Sequence, residues 1–527
     1  MTIPCTSLAD PAAVVLCNQQ LELVQKAQTD TNAFFILWAS ALVLFMHAGF
    51  AMLSAGAVRS KNTKNILLSI LLDMCVCCIA WYLVGFAFAF GSTAGGFIGS
   101  TSWVGIDVGS TPNGSTSFYF WLFEYAFAAT AATIVSGAIA ERARFDTYLV
   151  TSFWMSAWVY PVVAHWIWGG GFLTLGNPTG HSIMQSGVVD FAGCGPVHMV
   201  GGMAGFVGAV VMGPRHGRFG ENGEIKPMPG HSSSLATLGT FILWIGWMGF
   251  NCGSVITLAN GGGTVAARAG VNTVLSASAG ALSALCFSHF LTKGENSYDL
   301  GMALNGALAG LVSITGCCAF VEMWAAIAIG FLGGIFYVTS SRLVLHVLKV
   351  DDPLDATAVH LFCGMWGIAA GAFFTNPVLI EPLFIPAPPD GSVQVPAGIF
   401  YGAQTFVTKY ANGTVVSGGT TVGALVANAT IEIVVVGAWV FAMSLPYFCL
   451  VQRCGVLRVA PDSEDFGLDE SLHGGSAYPD LFHHVPTPPP NSSSLPQQPP
   501  QVKTSAQPAD NTSIPVDPES GVPVAVS

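Results

Sequence analysis

The sequence predicts an all-α polytopic membrane protein. Of its 527 residues, 52% are hydrophobic and only 9% are charged, whereas soluble proteins average about 25% charged residues. The apolar residues collect in eleven segments of about 20 residues, the length that a membrane-spanning helix needs. Lys and Arg are concentrated in alternate connectors between these segments, as expected for a chain that crosses a membrane repeatedly.

The connectors predict the orientation of the chain. Most Lys and Arg residues, such as Arg59 and Arg142, fall in alternate connectors, while the opposite side holds only Lys26, Arg268 and Lys409. Because cytoplasmic connectors carry the excess of Lys and Arg, we expect the N-terminus outside and the C-terminus inside. The predicted spans are residues 33–55, 66–91, 117–139, 147–168, 191–212, 234–256, 270–291, 300–318, 322–345, 357–376 and 426–450.

An Asp followed eight residues later by a His occurs at the start of two spans. Asp190 and His198 begin the fifth span, and Asp352 and His360 begin the tenth. A helix that starts near each Asp would place its His about 12 Å deeper, close to the middle of a ~30 Å hydrocarbon core. Since an odd number of spans per unit inverts the second unit, the motifs predict an inverted 5+5 repeat plus one extra helix.

Two histidines at membrane depth admit three interpretations. A lone His is ordinarily a core residue that one neighbour satisfies, but ionisable groups in spans usually face a cavity or pathway. The repeat-related pair His198 and His360 favours the pathway, because neutral imidazoles can share one hydrogen bond and offer further donors and acceptors to a small polar guest. A metal is the competing ligand, but two His residues alone make a poor metal site. No metal or other cofactor is predicted.

The simplest interpretation of the two aspartates is structural. Each lies at a helix start, where a carboxylate caps free N–H groups and matches the positive end of the helix dipole. We interpret Asp352 as such a helix cap. Asp190 is predicted to act both as a cap and as an electrostatic site beneath an outer vestibule.

Aromatic side chains from three spans are predicted to lie at a similar depth on the outer side. Phe123 and Phe127 are one helical turn apart in the third span, Trp168 ends the fourth, and Phe250 and Ser254 end the sixth. Aromatic faces attract cations by roughly 0.5–2 kcal/mol, and a hydroxyl can accept a hydrogen bond from an N–H group. The alternative is an ordinary interfacial belt of aromatic residues.

The composition argues against several functional classes. The formal net charge is −12, and no basic patch suggests nucleic acid as a partner. The cysteines within spans are interpreted as small packing residues, whereas Cys5 and Cys17 precede the first span and could form a disulfide outside the cell. Without a nucleophile or a metal-ligand set, the chain is not predicted to be an enzyme.

Four segments are predicted along the chain. Residues 1–32 form an extracellular segment without a cleavable signal peptide, 33–452 the membrane domain, 453–482 a cytoplasmic regulatory tail, and 483–527 a disordered tail rich in Pro and Ser. The sequons at Asn113 and Asn412 fall in connectors predicted to lie outside, where glycosylation is feasible.

Five separated stretches together resemble the ammonium transporter (Amt) family, in its plant and algal type of eukaryotic branch. The resemblance extends from the first span to about Tyr478, and the order of the motifs makes it specific. Trp168 argues against the related Rhesus branch, whose members lack that Trp. The stretches are residues 137–142 (GAIAER), 168–171 (WGGG), 190–202 (DFAGCGPVHMVGG), 246–254 (GWMGFNCGS), and 351–354 (DDPL) with His360 and residues 363–364 (CG).

The resemblance implies a homotrimer in which each subunit has its own pore. His198 and His360 match the family's twin pore histidines, and Asp190 matches the carboxylate beneath its recruitment site. Phe127 and Phe250 match a stacked phenylalanine gate. The outer ammonium site of the family corresponds to Phe123, Phe127, Trp168 and Ser254.

Three positions depart from the family pattern or extend it. Glu124 and His47 stand where relatives usually have Gln, and both could be neutral, hydrogen-bonded packing residues. Residues 467–478 resemble the regulatory tail of plant-type transporters, and Ser471 occupies the position of a phosphorylated Thr. A regulatory kinase is therefore a predicted partner, against the alternative of a solvated Ser in a mobile tail.

The predicted function is uptake of ammonium or methylammonium across a lipid membrane, either the plasma membrane or another cellular membrane. A charge centred in a bilayer costs at least roughly 2.5–3.5 kcal/mol, so passage is easier when the proton is separated from its carrier. We expect ammonium to bind at the outer site, lose its proton near Asp190 and pass as ammonia along His198 and His360. The rival hypothesis is an ammonium sensor or transceptor that uses the same pore fold.

Overall fold

The computed structural model describes residues 10–111, 117–176, 186–292, 298–380, 392–403, 405–409 and 415–478. Within these residues, nine helices are long and apolar enough to cross a membrane. A tenth apolar helix is shorter, and residues 145–167 form one further helical segment. In chain order they are α1 Pro11–Ala57, α2 Ser60–Phe90, α3 Phe118–Ile139, α4 145–167, α5 Cys194–Met212, α6 Ser233–Gly253, α7 Gly262–Leu291, α8 Leu300–Thr315, α9 Met323–Val347, α10 Thr357–Phe374 and α11 Ala424–Arg453.

The helices follow the predicted spans closely, and the main difference is at α1. The helix begins at Pro11, well before residue 33, because Asp10 accepts a hydrogen bond from the backbone N–H of Ala12 at 2.9 Å and Pro11 suits the first helical turn. A helix of 47 residues is about 70 Å long, so its first half extends beyond a ~30 Å hydrocarbon core.

The connectors contain short strands, which corrects the all-α prediction locally. Strands β1 (Thr93–Ala94) and β2 (Ile98–Gly99) pair antiparallel. Strands β3 (Ser392–Ala397), β4 (Thr405–Lys409) and β5 (Val415–Val422) form a sheet of order β3-β5-β4, in which β3 is parallel and β4 antiparallel to β5. These segments are rich in Val and Thr, residues that favour extended backbone.

The bundle has a buried centre and an apolar exterior. Nearly every residue of α3 is buried, and α3 packs against α1 and α5. The outer faces of α7 and α11 instead expose large apolar side chains such as Leu282, Phe290, Val434 and Leu450. Exposed apolar faces of this kind suit a lipid environment.

Several helices contain a widened, π-helical turn. These turns lie in α2, in α4 and α9, and in α5 and α10. The turns of α5 (Cys194–Met199) and α10 (Thr357–Phe362) contain His198 and His360, respectively. Single π-helical turns are often found at functional sites, and here they occur in helices that the predicted repeat would relate. The repeat and the orientation in the membrane stay predictions.

Candidate functional site

A cavity of about 840 Å³ opens between the ends of α3, α4, α6 and α7. Every residue that the sequence assigned to the outer cation site contributes to its wall. Glu124, which departs from the family pattern, also lines it, as does Arg268 of α7. The predicted residues that line the cavity are Phe123, Phe127, Trp168, Asp190 and Ser254.

The aromatic rings of the cavity are close together. The ring centroids of Phe123 and Phe127 lie 4.7 Å apart, and Trp168 meets Phe127 edge-on at 6.0 Å. Phe127 stacks on Phe250 with centroids 4.0 Å apart and an interplanar angle of 21°. Because Phe127 and Phe250 are only 1% and 0% exposed, this pair closes the floor of the cavity.

Two polar groups lie beside these rings. The Trp168 indole N–H donates to the carbonyl oxygen of Asp190 at 2.9 Å, which fixes the ring against that segment. Ser254 is half-buried, and its hydroxyl donates to the carbonyl of Phe250 at 2.9 Å. Since that bond uses the hydroxyl hydrogen, the oxygen lone pairs of Ser254 stay available to accept from a guest.

Below the phenylalanine pair lie the two histidines. The Nδ1 atoms of His198 and His360 are 3.1 Å apart, so one imidazole donates and the other accepts. Their rings are nearly parallel, with centroids 5.3 Å apart. His198 also stacks against Trp247 at 5.3 Å and lies 5.7 Å from Phe250. The order from the cavity inwards is therefore Phe127, Phe250, His198 and His360.

Glycines let α5 and α10 approach closely enough for this contact. A Cβ on Gly202 would lie 2.4 Å from the backbone nitrogen of Leu361, and one on Gly364 would lie 3.0 Å from the carbonyl oxygen of Cys194. A side chain at Gly202 would thus separate the helices. The small residues that follow each His in the sequence are what bring the two imidazoles together.

A second cavity, of about 30 Å³, adjoins His360 on the side away from the phenylalanine pair. Its polar lining includes Thr133, Ser136 and Asn305. This volume is enough for a water-sized molecule. Small polar guests therefore have room on both sides of the histidine pair.

Both motif aspartates cap the helix that follows them. Asp190 Oδ1 accepts from the N–H groups of Gly193 and Cys194 at 2.9 and 2.8 Å, and its Oδ2 accepts from Gly195 at 2.7 Å. Asp190 is also 3% exposed and lines the large cavity. Asp190 thus combines capping with a place in the wall of the cavity that holds the cation-attracting rings.

Asp352 caps the start of α10 but does not line a cavity of the pathway. Its Oδ1 accepts from the N–H of Ala356 at 3.1 Å, and its Oδ2 accepts from Thr357 at 2.7 Å. Asp352 lines neither of the cavities on the two sides of the histidine pair.

Glu432 and Asp351 are among the buried acidic groups to which the sequence assigned no role. Glu432 of α11 is completely buried beside Asp190. Asp351, next to the predicted cap, forms an ion pair with Arg215 at 2.8 Å and with Arg218 at 3.2 Å. Spacing along the chain gave no signal for either contact, because the partners lie far apart in sequence.

Glu124 and His47 are both buried, at 5% exposure each. His47 packs edge-on against Phe50, a residue of the second cavity, at 6.5 Å, but lines neither cavity itself. The predicted glycosylation sites Asn113 and Asn412 and the cysteine Cys5 lie outside the described residues. Cys17 is disulfide-bonded.

The tail contacts the N-terminal end of α2 and residue His231, which precedes α6. Asp469 accepts from the backbone N–H groups of Lys64 and Asn65, both at 2.9 Å. His473 Nε2 lies 2.9 Å from Asn65 Oδ1, and the hydroxyl of Tyr478 lies 3.0 Å from His231 Nε2. The predicted regulatory segment is therefore held to the rest of the protein by hydrogen bonds of Asp469, His473 and Tyr478.

Comparison with known proteins decides the family. The model of the Ammonium Transporter Family matches residues 34–478. The chain belongs to the ammonium transporter family. It is 40% identical to Ammonium transporter 1 member 3 of Oryza sativa subsp. japonica over 479 residues, which are 89% of each chain. It is 39% identical to Ammonium transporter 3 of Dictyostelium discoideum over 447 residues, 84% of this chain and 93% of that one.

Solved structures of this family share the fold. A structure titled "Sensor Amt Protein" matches with a TM-score of 0.71 and 29% identity, covering 85% of this chain and all of that one. Candida albicans Mep2 matches with a TM-score of 0.67 and 25% identity, covering 82% and 87%. The predicted helical, polytopic membrane fold is confirmed at this level, and the family is one of membrane transporters, not enzymes.

Proposed function

We propose that this protein takes up ammonium by binding the cation outside, removing its proton and passing ammonia along the histidine pair. The observation that carries the proposal is the continuous order of an aromatic cavity with a carboxyl group, a stacked phenylalanine pair and two hydrogen-bonded imidazoles. The rings of Phe123, Phe127 and Trp168 attract a small cation. Ser254 can accept one of its N–H groups.

Deprotonation follows from the change of environment along this path. Phe127 and Phe250 leave no space for a hydrated ion between their stacked rings, and stripping the water from a charge is costly. A neutral ammonia molecule lacks this penalty and can hydrogen-bond to His198 and His360. We infer that the proton is released near Asp190, above the phenylalanine gate.

The location and assembly are part of the same proposal. We propose a homotrimer in the plasma membrane, as the family resemblance implies. A separate pore in each subunit is supported because the whole site lies within one chain, and the apolar outer faces suit a lipid membrane. Glycosylation of Asn113 and Asn412 stays a prediction. The sensor alternative is not favoured, because identity to proteins named transporters reaches 40%, above the 29% to the structure titled a sensor.

Uptake in yeast that lacks its own ammonium transporters tests the function. We expect the full chain to support growth on low ammonium and to accumulate labelled methylammonium. His198→Ala together with His360→Ala should reduce uptake without changing surface abundance, because the substitutions remove the hydrogen-bonding groups of the pore. A chain that reaches the surface and supports neither growth nor uptake contradicts the proposal.

We further propose that phosphorylation of Ser471 releases the tail. The exposed Ser471 hydroxyl donates to the carbonyl of Gly467 at 2.8 Å, two residues from the Asp469 that caps α2. A phosphate adds about −1.5 to −2 charge, which would repel Asp469 and Glu470. Ser471→Asp should lower uptake severalfold, while Ser471→Ala should not. Ser463→Asp in the preceding helix Pro461–Phe466 is the control, and equal losses in both Asp variants would contradict a site-specific switch.

A further inference from the structure

The most unusual group near the site is the carboxyl of Glu432. It lies in α11 and is 0% exposed, although a charge at membrane depth is costly. Neither of its oxygens accepts a hydrogen bond from any described N–H or O–H group. A buried carboxylate that accepts no hydrogen bonds destabilises the fold. We therefore expect Glu432 to be protonated and ask which neighbouring group accepts its O–H.

That neighbour is Asp190. The two side chains are in hydrogen-bonding contact, and both lie against Gly195. A Cβ at Gly195 would come within 2.5 Å of Glu432 Oε1 and 3.2 Å of Asp190 Oδ2. Carboxylate oxygens only accept hydrogen bonds, so two carboxyl groups bond to each other only when one carries a proton. The contact therefore holds one proton between two acids.

The backbone decides which acid carries it. Asp190 accepts three hydrogen bonds from N–H groups of residues 193–195, whereas Glu432 accepts none. Hydrogen bonds from N–H groups and the positive end of α5 favour the ionised form of Asp190. The proton consequently resides on Glu432, which donates to Asp190.

We propose that Glu432 is a positioning residue, a neutral acid whose O–H group holds the single negative charge of Asp190 beneath the aromatic cavity. This inference rests on the proposed function, in which Asp190 attracts the cation and the released proton. The titratable groups that face Glu432 are Asp190 and the Cys194 thiol. If both acids were ionised, two adjacent carboxylates would repel each other and the geometry of Asp190 would be lost.

Glu432→Gln and Glu432→Leu in the full-length chain test this role. The Gln side chain keeps an N–H donor for Asp190 and cannot ionise, whereas Leu keeps the volume and removes the donor. At equal surface abundance and about pH 6, we expect methylammonium uptake by the Gln variant within about twofold of the wild type and a loss of about tenfold or more in the Leu variant. Glu322→Gln, an acid at the start of α9, is the control.

Rescue by the amide separates positioning from packing. A Gln variant as inactive as the Leu variant at equal surface abundance overturns the proposal. So does a Leu variant with normal uptake. If the wild type itself moves no methylammonium, the proposed function fails instead.

Discussion

Asp190→Ala is expected to abolish transport while the protein still reaches the cell surface. The substitution removes the carboxyl group of a residue that lines the large cavity together with Phe127 and Trp168. An ion pair at about 5 Å and an effective dielectric constant near 20 contributes about 3 kcal/mol, which corresponds to a loss of about a hundredfold in cation occupancy. The remaining rings contribute roughly 0.5–2 kcal/mol. Labelled methylammonium uptake, divided by surface abundance, measures the effect.

Asp352→Ala is the matched control, because it removes the same kind of helix cap at the other end of the predicted repeat. Losing the bonds to Ala356 and Thr357 should cost about 1 kcal/mol of stability. We expect less protein at the surface but normal uptake per molecule, since Asp352 lines neither cavity of the pathway. Equal loss of uptake at normal surface abundance would show that the two aspartates share one role.

The positions of the helices could be predicted because each depends on local pattern. Length and hydropathy located α2 to α11 within a few residues, apart from the earlier start of α7 at Gly262. The extension of α1 to Pro11 was missed because its first part mixes polar residues with exposed apolar ones such as Val15 and Leu23, and only the cap at Asp10 indicates it. Hydropathy reports burial in lipid and carries no information about a helix that continues into water.

The site was predictable only where residues repeat or match a family pattern. The Asp and His spacing indicated that His198 and His360 would lie at similar depth, but not that their Nδ1 atoms meet at 3.1 Å. Glu432 gave no signal, because it stands 242 positions from Asp190 and looks like one charge in an apolar span. The widened turns around both histidines depend on tertiary packing, which no local pattern reports.

The largest loss of stability is expected for Asp351→Asn. Asp351 accepts from the backbone N–H, Nε and Nη2 of Arg215 at 2.9, 2.8 and 2.9 Å, and its side chain is fully buried. Arg215 is itself only 2% exposed, and Arg218 reaches the same carboxylate at 3.2 Å. The substitution leaves the Arg215 charge with only the more distant carboxylate of Glu141, at 3.4 Å, and breaking a buried pair in this way costs about 3–5 kcal/mol. Much of the 5–15 kcal/mol that typically stabilises a folded protein would be lost.

Thermal unfolding of the detergent-solubilised protein measures this loss. Asp351→Asn should unfold at a markedly lower temperature. Adding Arg215→Met should restore part of the stability, because it removes a buried charge that has lost its main partner. Asp146→Asn is the control, since Asp146 and Arg144 form an exposed pair, 62% and 39% exposed, that should matter little. If the exposed and buried substitutions shift the unfolding temperature equally, the cluster around Asp351 is not a major source of stability.

Protonation of Asp351 at low pH should lower the stability of the wild type, as the substitution Asp351→Asn does. Burial of Asp351 opposes its ionisation, but the hydrogen bonds and charge of Arg215 outweigh it and lower the pKa of Asp351 to about 2. Because the folded-state pKa lies below the ordinary value near 3.9, this group stabilises the fold fully above about pH 4, and the contribution disappears as the pH falls through about 2. The unfolding temperature of Asp351→Asn should lack this part of the acid dependence, since an amide does not titrate there.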